Sequence, residues 1–330
     1  MTVIGVDIAA ASFDLVTRKD GRNQPAKRLS QTREGHGQAI ALIQRHNPER
    51  IVMEATGVYF LNLAMALHQA GLPVCVINPR SFKHFAALKL TGSKTDPIDA
   101  ALLAEYAECL RPALWQPPRK EWLAVRELGR QVNRLVGERT QAKNRLHALS
   151  VTQTTPTLIL DDEREGIAAL EARIERIRKA ALELIEADAQ LLAQFHAITA
   201  AKGVGETSAI ALLAELCTLP AQLKAPQVVR HAGLDVRLNT SGSSVERPGR
   251  LSKAGNAYLR AALFMPAMAA VRHDTRAKAF YQALLARGKK PIQAICAVMR
   301  KYLTGIWACM RSQEPFDSNR LFSSHHMKTT

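Results

Sequence analysis

Val3-Ile4-Gly5-Val6-Asp7 is an apolar run ending on a carboxylate, and how the next hundred residues answer it decides the fold. Ser12–Thr17 and Ala26–Ser30 follow as two more short strand candidates, with Asp20-Gly21 as a turn signal between them. A helix is expected from Gly37 to Arg45. Arg50-Ile51-Val52-Met53-Glu54 is then a second strand that ends on an acid. A helix near Leu61–Gln69, closed by Gly71, leads to a strand at Val74–Ile77; Asn78-Pro79 opens another helix and Asp96 opens the last. Three antiparallel strands followed by alternating helix and strand is the layout of a ribonuclease-H-like fold. Its first and fourth strands are neighbours, which sets Asp7 beside Glu54.

Asp96 and Asp99 lie one helical turn apart in Lys94-Thr95-Asp96-Pro97-Ile98-Asp99-Ala100. Local mechanics can explain that pair, with Asp96 as N-cap, Pro97 at the first helical position and Asp99 as the far end of a capping box. The joint pattern of Asp7, Glu54, Asp96 and Asp99 points further. Acids at strand ends with acids on a nearby helix are what a divalent-metal site for phosphodiester chemistry requires. Carboxylate oxygens suit Mg²⁺, which keeps some waters and takes its other ligands from substrate phosphate. Two such ions, roughly 4 Å apart, serve the attacking and the leaving oxygen.

Charge is distributed unevenly. The 330 residues carry a net +16, with 47% hydrophobic and 22% charged residues, as in an ordinary soluble protein of two or three domains. Residues 1–110 are near neutral at +2, whereas residues 201–330 hold 19 basic against 7 acidic side chains, +12. A basic region joined to an acid site points to a polyanion, with nucleic acid foremost. Cys75, Cys109, Cys217, Cys296 and Cys309 have no zinc-ligand spacing and read as reduced thiols. No apolar run approaches the ~20 residues that span a bilayer. Met1-Thr2-Val3-Ile4-Gly5 lacks the layout of a signal peptide, so a cytoplasmic location without a membrane partner is expected.

Arg111-Pro112 and Gln116-Pro117-Pro118 punctuate a linker. Val125, Leu128, Val132, Leu135, Ala142, Leu146 and Leu149 then form a heptad stripe that Arg139 interrupts. A second stripe, Ile167, Leu170, Ile174, Ile177, Ala181, Leu184, Leu191 and Phe195, is interrupted by Asp188. Both argue for a coiled-coil seam, either an intrachain hairpin turning near Thr154–Leu160 or a subunit contact.

From Ile198 onward the pattern is helical, with later helices near Ala254–Val271 and Pro291–Arg311 and a frayed tail from Ser323 to Thr330. Gly203-Val204-Gly205 joins two helical runs. Such a turn either presents backbone N–H groups and Lys202 to a phosphate or simply makes a tight connection. The Gly/Ser/Arg-rich stretch from Asn239 to Asn256 reads as a flexible loop. It collects hydroxyls at Ser241, Ser243 and Ser244 beside Arg247, Arg250 and Lys253. A serine nucleophile there could draw on those cations for transition-state charge, but no His/Asp pair is evident as its base, and composition alone favours a polar surface loop for Ser241.

Together these segments resemble the transposases of insertion-sequence family 110. Gly5-Val6-Asp7, Met53-Glu54-Ala55-Thr56-Gly57, Val76-Ile77-Asn78-Pro79 and Lys94-Thr95-Asp96-Pro97-Ile98-Asp99-Ala100 carry the likeness. Gly203-Val204-Gly205, Ser241-Gly242-Ser243-Ser244 and Leu251-Ser252-Lys253-Ala254-Gly255-Asn256 extend it nearly end to end. One departure is visible: the family often carries Lys where Ala10 stands, which bears on a cationic contact beside the metal site. The resemblance implies an N-terminal RuvC-like α/β domain over residues 1–112 and a linker with coiled-coil helices over 113–197. A mainly helical transposase domain with a helix-hairpin-helix-like element would cover 198–322, followed by a tail at 323–330.

It further implies that Asp7, Glu54, Asp96 and Asp99 bind Mg²⁺ and that Ser241 is the nucleophile. Lys202, Gly203, Gly205, Arg247, Arg250 and Lys253 are the nucleic-acid contacts expected from the Gly-hairpin and the basic loop themselves. The partners implied are donor and target DNA, a structured bridge RNA that pairs with both, and further copies of the chain in a dimer or tetramer. Strand exchange would pass through a 5′-phosphoserine link. A metal-dependent junction nuclease using water, and an inert nucleic-acid scaffold, are the competing expectations.

Overall fold

The computed structural model describes residues 1–89, 95–241 and 245–322, with residues 239, 240, 241 and 245–248 described by their backbone alone. The expected tail, residues 323–330, lies outside the described residues. Two compact units divide the chain, Met1–Pro117 and Pro118–Thr330.

The first unit is built on one mixed sheet. Its strands are β1 (Thr2–Ile8), β2 (Ser12–Lys19), β3 (Arg22–Asn23), β4 (Lys27–Ser30), β5 (Arg50–Glu54) and β6 (Val74–Ile77). They run in the order β3-β2-β1-β5-β6, with β4 also on β2. β1 and β2 are antiparallel, whereas β1 and β5 are parallel with Val6 opposite Met53. This is the ribonuclease-H-like order that the sequence pattern implies, with Asp7 beside Glu54 at adjacent strand ends. Strand alternation gives the sheet two different faces. Ile4, Val6, Phe13, Leu15, Ile51 and Met53 share a core with Ala39, Ile43, Leu63 and Leu67 of helices α1 (Arg33–His46) and α2 (Tyr59–Gln69). Val3, Val52, Cys75 and Ile77 pack on the other side with Phe82 of α3 (Pro79–Leu88) and Leu103, Tyr106 and Ala107 of α4 (Asp96–Leu110).

In the second unit, α5 (Lys120–Val151) and α6 (Thr157–Glu186) pack along one another within the chain as an intrachain hairpin. Val125, Val132, Leu135, Ala142, Ile167, Ile174 and Ala181 are buried along it, and ion pairs Lys143–Glu171 (2.8 Å) and Arg145–Glu163 (2.9 Å) flank the seam. The two interruptions have separate causes. Arg139 is half-buried beside Glu171. Asp188 ends the stripe outright: it caps α7 (Ala189–Thr199), accepting from the N–H groups of Gln190 and Leu191. The single second helix expected from the heptads is therefore two.

α8 (Glu206–Leu216) is buried from Ala209 to Leu216 and forms the centre of a helical core. α9 (Ala225–His231), α10 (Ala257–His273), α11 (Thr275–Ala286), α12 (Pro291–Ser312) and α13 (Ser318–Leu321) complete the unit. Between α9 and α10, β7 (Val236–Ser241) and β8 (Val245–Leu251) pair as an antiparallel hairpin. The loop expected there is mostly strand: its backbone pairs from Val236 opposite Leu251 to Ser241 opposite Val245, with an irregularity between Arg237 and Asn239. No helix among the described residues is long and apolar enough to cross a membrane.

Candidate active site

Backbone register assembles the acids. Arg28 of β4 is opposite Asp14 of β2, Asp14 is opposite Asp7 of β1, and the next strand over ends at Glu54. Alternation turns all four toward the α4 side, since their strand neighbours Leu29, Phe13, Leu15, Val6 and Met53 belong to the opposite core. Gly5 brings α4 down onto this face: a Cβ at Gly5 would stand 2.0 Å from the Ala100 carbonyl oxygen and 2.3 Å from the Ala104 nitrogen. That close approach delivers Asp96 and Asp99, in the first turn of α4, to the end of β1.

Electrostatics records the convergence. The Asp7 carboxyl is pushed up to about 6 by burial, then by repulsion from Asp99, Asp96 and Glu54. Asp14 is also raised, mainly by burial, with Arg28 opposing and Asp96 adding. Glu54 accepts a hydrogen bond from the Thr56 hydroxyl at 2.9 Å. The capping explanation for Asp96 and Asp99 changes: the N-cap is Thr95, without a side-chain cap bond, and Asp96 is the first helical residue. Among the described residues no three His, Cys, Asp or Glu side chains stand as a ready-made metal cage. The donor chemistry nevertheless fits a hard dication. All four groups are carboxylates, and the repulsion that raises Asp7 is what such an ion relieves.

The second group of expected residues lies in the other unit. Gly203 has φ +87, and a Cβ there would come within 2.8 Å of the Ala269 Cβ, so this turn is packed closely against α10. Gly205 is the N-cap of α8 and is open to solvent, as is Lys202. The Lys202 carbonyl accepts from the Tyr302 hydroxyl at 3.0 Å, which fixes the turn to α12. Glu206, the first residue of α8, is ion-paired with Arg178. Ser241 is the last residue of β7, its backbone opposite Val245; its side chain, that of Arg247, and residues 242–244 lie outside the described residues. Arg250 and Lys253 are exposed.

A network the motifs did not signal fixes the foot of this hairpin. Glu215 of α8, 2% exposed, takes a bidentate pair from Arg130 of α5 at 2.6 and 2.9 Å. It also accepts from Asn256 Nδ2 at 2.6 Å, while Asn256 Oδ1 caps α10 at the Leu259 N–H. Asn256 N–H donates to the His231 carbonyl at 2.7 Å, and the Ser252 hydroxyl bonds Asp235. The available signal was Glu215 itself, a lone acid inside the apolar run Ala211-Leu212-Leu213-Ala214-Glu215-Leu216. Removing one partner of a buried pair strands the other, so Glu215→Ala should destabilise this unit by about 3 kcal/mol, read as a lower urea midpoint. An unchanged midpoint would show that Arg130 and Asn256 find water instead.

Comparison with known proteins assigns the chain. A family model for the DEDD domain of IS110 transposases, described as "Transposase", matches residues 4–156, and one described as "Transposase IS116/IS110/IS902 family" matches residues 195–282. The pilin gene-inverting protein of Moraxella lacunata is 28% identical over 324 residues, spanning 96% of this chain and 98% of that protein. A probable family 20 transposase of Pseudomonas aeruginosa is 28% identical over 298 residues, spanning 80% and 84%. Among solved structures, T. thermophilus RuvC in complex with a Holliday junction substrate is 15% identical with a TM-score of 0.29, covering 35% of this chain and 99% of that one. The fold assignment rests on the strand order described above. With both of its units matched in order, the chain belongs to the IS110 family of transposases, enzymes that cut and rejoin DNA.

Proposed function

We propose that this transposase is an RNA-guided recombinase that exchanges donor and target DNA strands through a 5′-phosphoserine intermediate formed on Ser241. The observation that carries the metal half is the convergence of the four carboxylates: strand register sets Asp7 beside Glu54, and the close approach of α4 at Gly5 brings Asp96 and Asp99 to the same strand end, where burial first and then their charges lift Asp7 to about 6. These four would hold Mg²⁺ as a pair of ions; when bound, Mg²⁺ supplies charge neutralisation at the scissile phosphate and at the departing 3′-oxygen.

The chain's own residues do the rest. Ser241 Oγ attacks phosphorus and gives up its proton, the P–O3′ bond breaks, and the 3′-oxygen leaves as a hydroxyl after taking up a proton. The new ester keeps the bond's free energy, so a different 3′-hydroxyl can reverse the step without ATP. Lys202, the Gly203–Gly205 turn, Arg247, Arg250 and Lys253 grip phosphates of the backbone, a role that the +12 of residues 201–330 supports. Sequence choice falls to a bridge RNA paired with donor and target, and the complete site to a dimer or tetramer in which the acid domain of one copy serves the serine of another. The resemblance to the family supports both assignments.

The test is Ser241→Ala in a reaction holding Mg²⁺, bridge RNA, donor and target DNA. Recombination should fall below detection, and wild-type protein should form a DNA adduct that survives denaturing gels while the variant forms none. Free cut ends without an adduct on wild type would instead establish water as the nucleophile.

A further inference from the structure

We propose that Arg28 is the resident counter-ion of the acid site: it holds Asp96 in the metal-free protein, yields that carboxylate when a divalent cation is bound, and then serves as a donor to a substrate phosphate oxygen. The inference rests on reading Asp7, Glu54, Asp96 and Asp99 as the metal ligands.

Three observations carry it. Arg28 Nη2 donates to Asp96 Oδ2 at 3.2 Å, so the guanidinium occupies one oxygen of a carboxylate that faces the Asp7 cluster. The same side chain is tethered from behind. Its Nε and Nη2 donate to the Ser12 hydroxyl at 3.1 and 3.0 Å, and Nε lies 3.9 Å from Asp14 Oδ2. Asp14 is 3% exposed and sits in register between Arg28 and Asp7, so an acid at this inward position is balanced by the arginine beside it.

Strengths of the two attachments set which one breaks. The Arg28–Asp96 pair is solvated, with side chains 60% and 47% exposed, and such surface pairs contribute little. A doubly charged ion among several carboxylates interacts far more strongly with Asp96 than one screened guanidinium does. The anchor to Ser12 and buried Asp14 does not require Asp96. Release of Asp96 therefore leaves Arg28 in place with donors free, and Nη1 already makes no hydrogen bond among the described residues. A guanidinium suits a phosphate, which accepts its forked N–H groups.

The experiment measures Mn²⁺ binding to metal-free, full-length protein by calorimetry, and DNA cleavage at saturating Mg²⁺, for wild type, Arg28→Gln, Arg28→Lys and Asp7→Asn. Arg28→Gln removes a competing cation, so Mn²⁺ should bind about tenfold more tightly. Cleavage at saturating Mg²⁺ should fall on the order of a hundredfold, because the phosphate donor is gone. Arg28→Lys, which keeps the charge, should restore wild-type Mn²⁺ affinity and part of the cleavage. Unchanged or weaker Mn²⁺ binding in Arg28→Gln, or unchanged cleavage at saturation, would overturn the assignment while leaving the metal reading standing. Equal Mn²⁺ binding by wild type and Asp7→Asn would overturn both.

Discussion

Asp7→Asn should abolish recombination and, at the same time, make the metal-free protein harder to unfold. Asp7 has its carboxyl raised to about 6 by burial and by Asp99, Asp96 and Glu54. A folded-state value above the unfolded one means that the folded state binds the proton more tightly. The stabilising contribution is complete below the unfolded value of 3.8 and is lost as pH rises through about 6. At pH 7.5 the ionised carboxylate therefore opposes folding, and an uncharged side chain of the same shape removes that opposition. The N-terminal unit of Asp7→Asn should melt about 2 °C higher than wild type without metal, with the gap narrowing as pH falls from 6 toward 4. Mg²⁺ should raise the wild-type melting temperature and leave the variant's unmoved. Cleavage should fall on the order of a thousandfold or more, about 4 kcal/mol of lost transition-state stabilisation. A variant that melts lower than wild type at pH 7.5 would contradict the repulsion. With Asp7 in its proposed metal role, this would be a stability cost retained for function.

Gly5→Ala should be nearly as damaging without touching any charged group. The added Cβ would meet the backbone of α4 at 2.0 and 2.3 Å, positions that no rotamer change relieves. The helix must retreat by about 1 Å or more, at a cost of roughly 3 kcal/mol in a close-packed interior. Asp96 and Asp99 ride on its first turn, so they move away from Asp7. A displacement of about 1 Å costs on the order of a hundredfold in rate. The variant should need far more Mg²⁺ for half-maximal cleavage. Gly37→Ala, on α1 with nothing near its added Cβ, is the matched control and should leave cleavage unchanged. Wild-type Mg²⁺ dependence in Gly5→Ala would show that the close approach of α4 at Gly5 is not what sets Asp96 and Asp99 beside Asp7.

Much of the first unit was legible because strand burial has a short period. Val3–Asp7 and Arg50–Glu54 each present an apolar run closed by an acid, and their adjacency follows from fold layout. The coiled-coil hairpin was legible as a stripe, but heptads alone do not say which helix supplies the partner stripe. By heptad spacing Asp188 is only an interruption, whereas its two backbone acceptances at the start of α7 make it a helix boundary. The β7–β8 hairpin is not legible in the sequence, because hydroxyls, arginines and glycines break any apolar alternation in its strands and only backbone pairing defines it.

Sequence by itself pointed to the four proposed acids, and it determined the ribonuclease-H-like strand order and the basic character of the last third. Each of these is a local pattern or a sum over residues. Tertiary structure decided what stands beside them. Arg28 and Asp14 join the acid row only through cross-strand register, Gly5 matters only because α4 lies on it, and Glu215 meets Arg130 and Asn256 across separations of 85 and 41 residues. Contacts between residues so distant along the chain have no period in the sequence, since packing of whole elements, rather than local propensity, brings them within hydrogen-bonding reach.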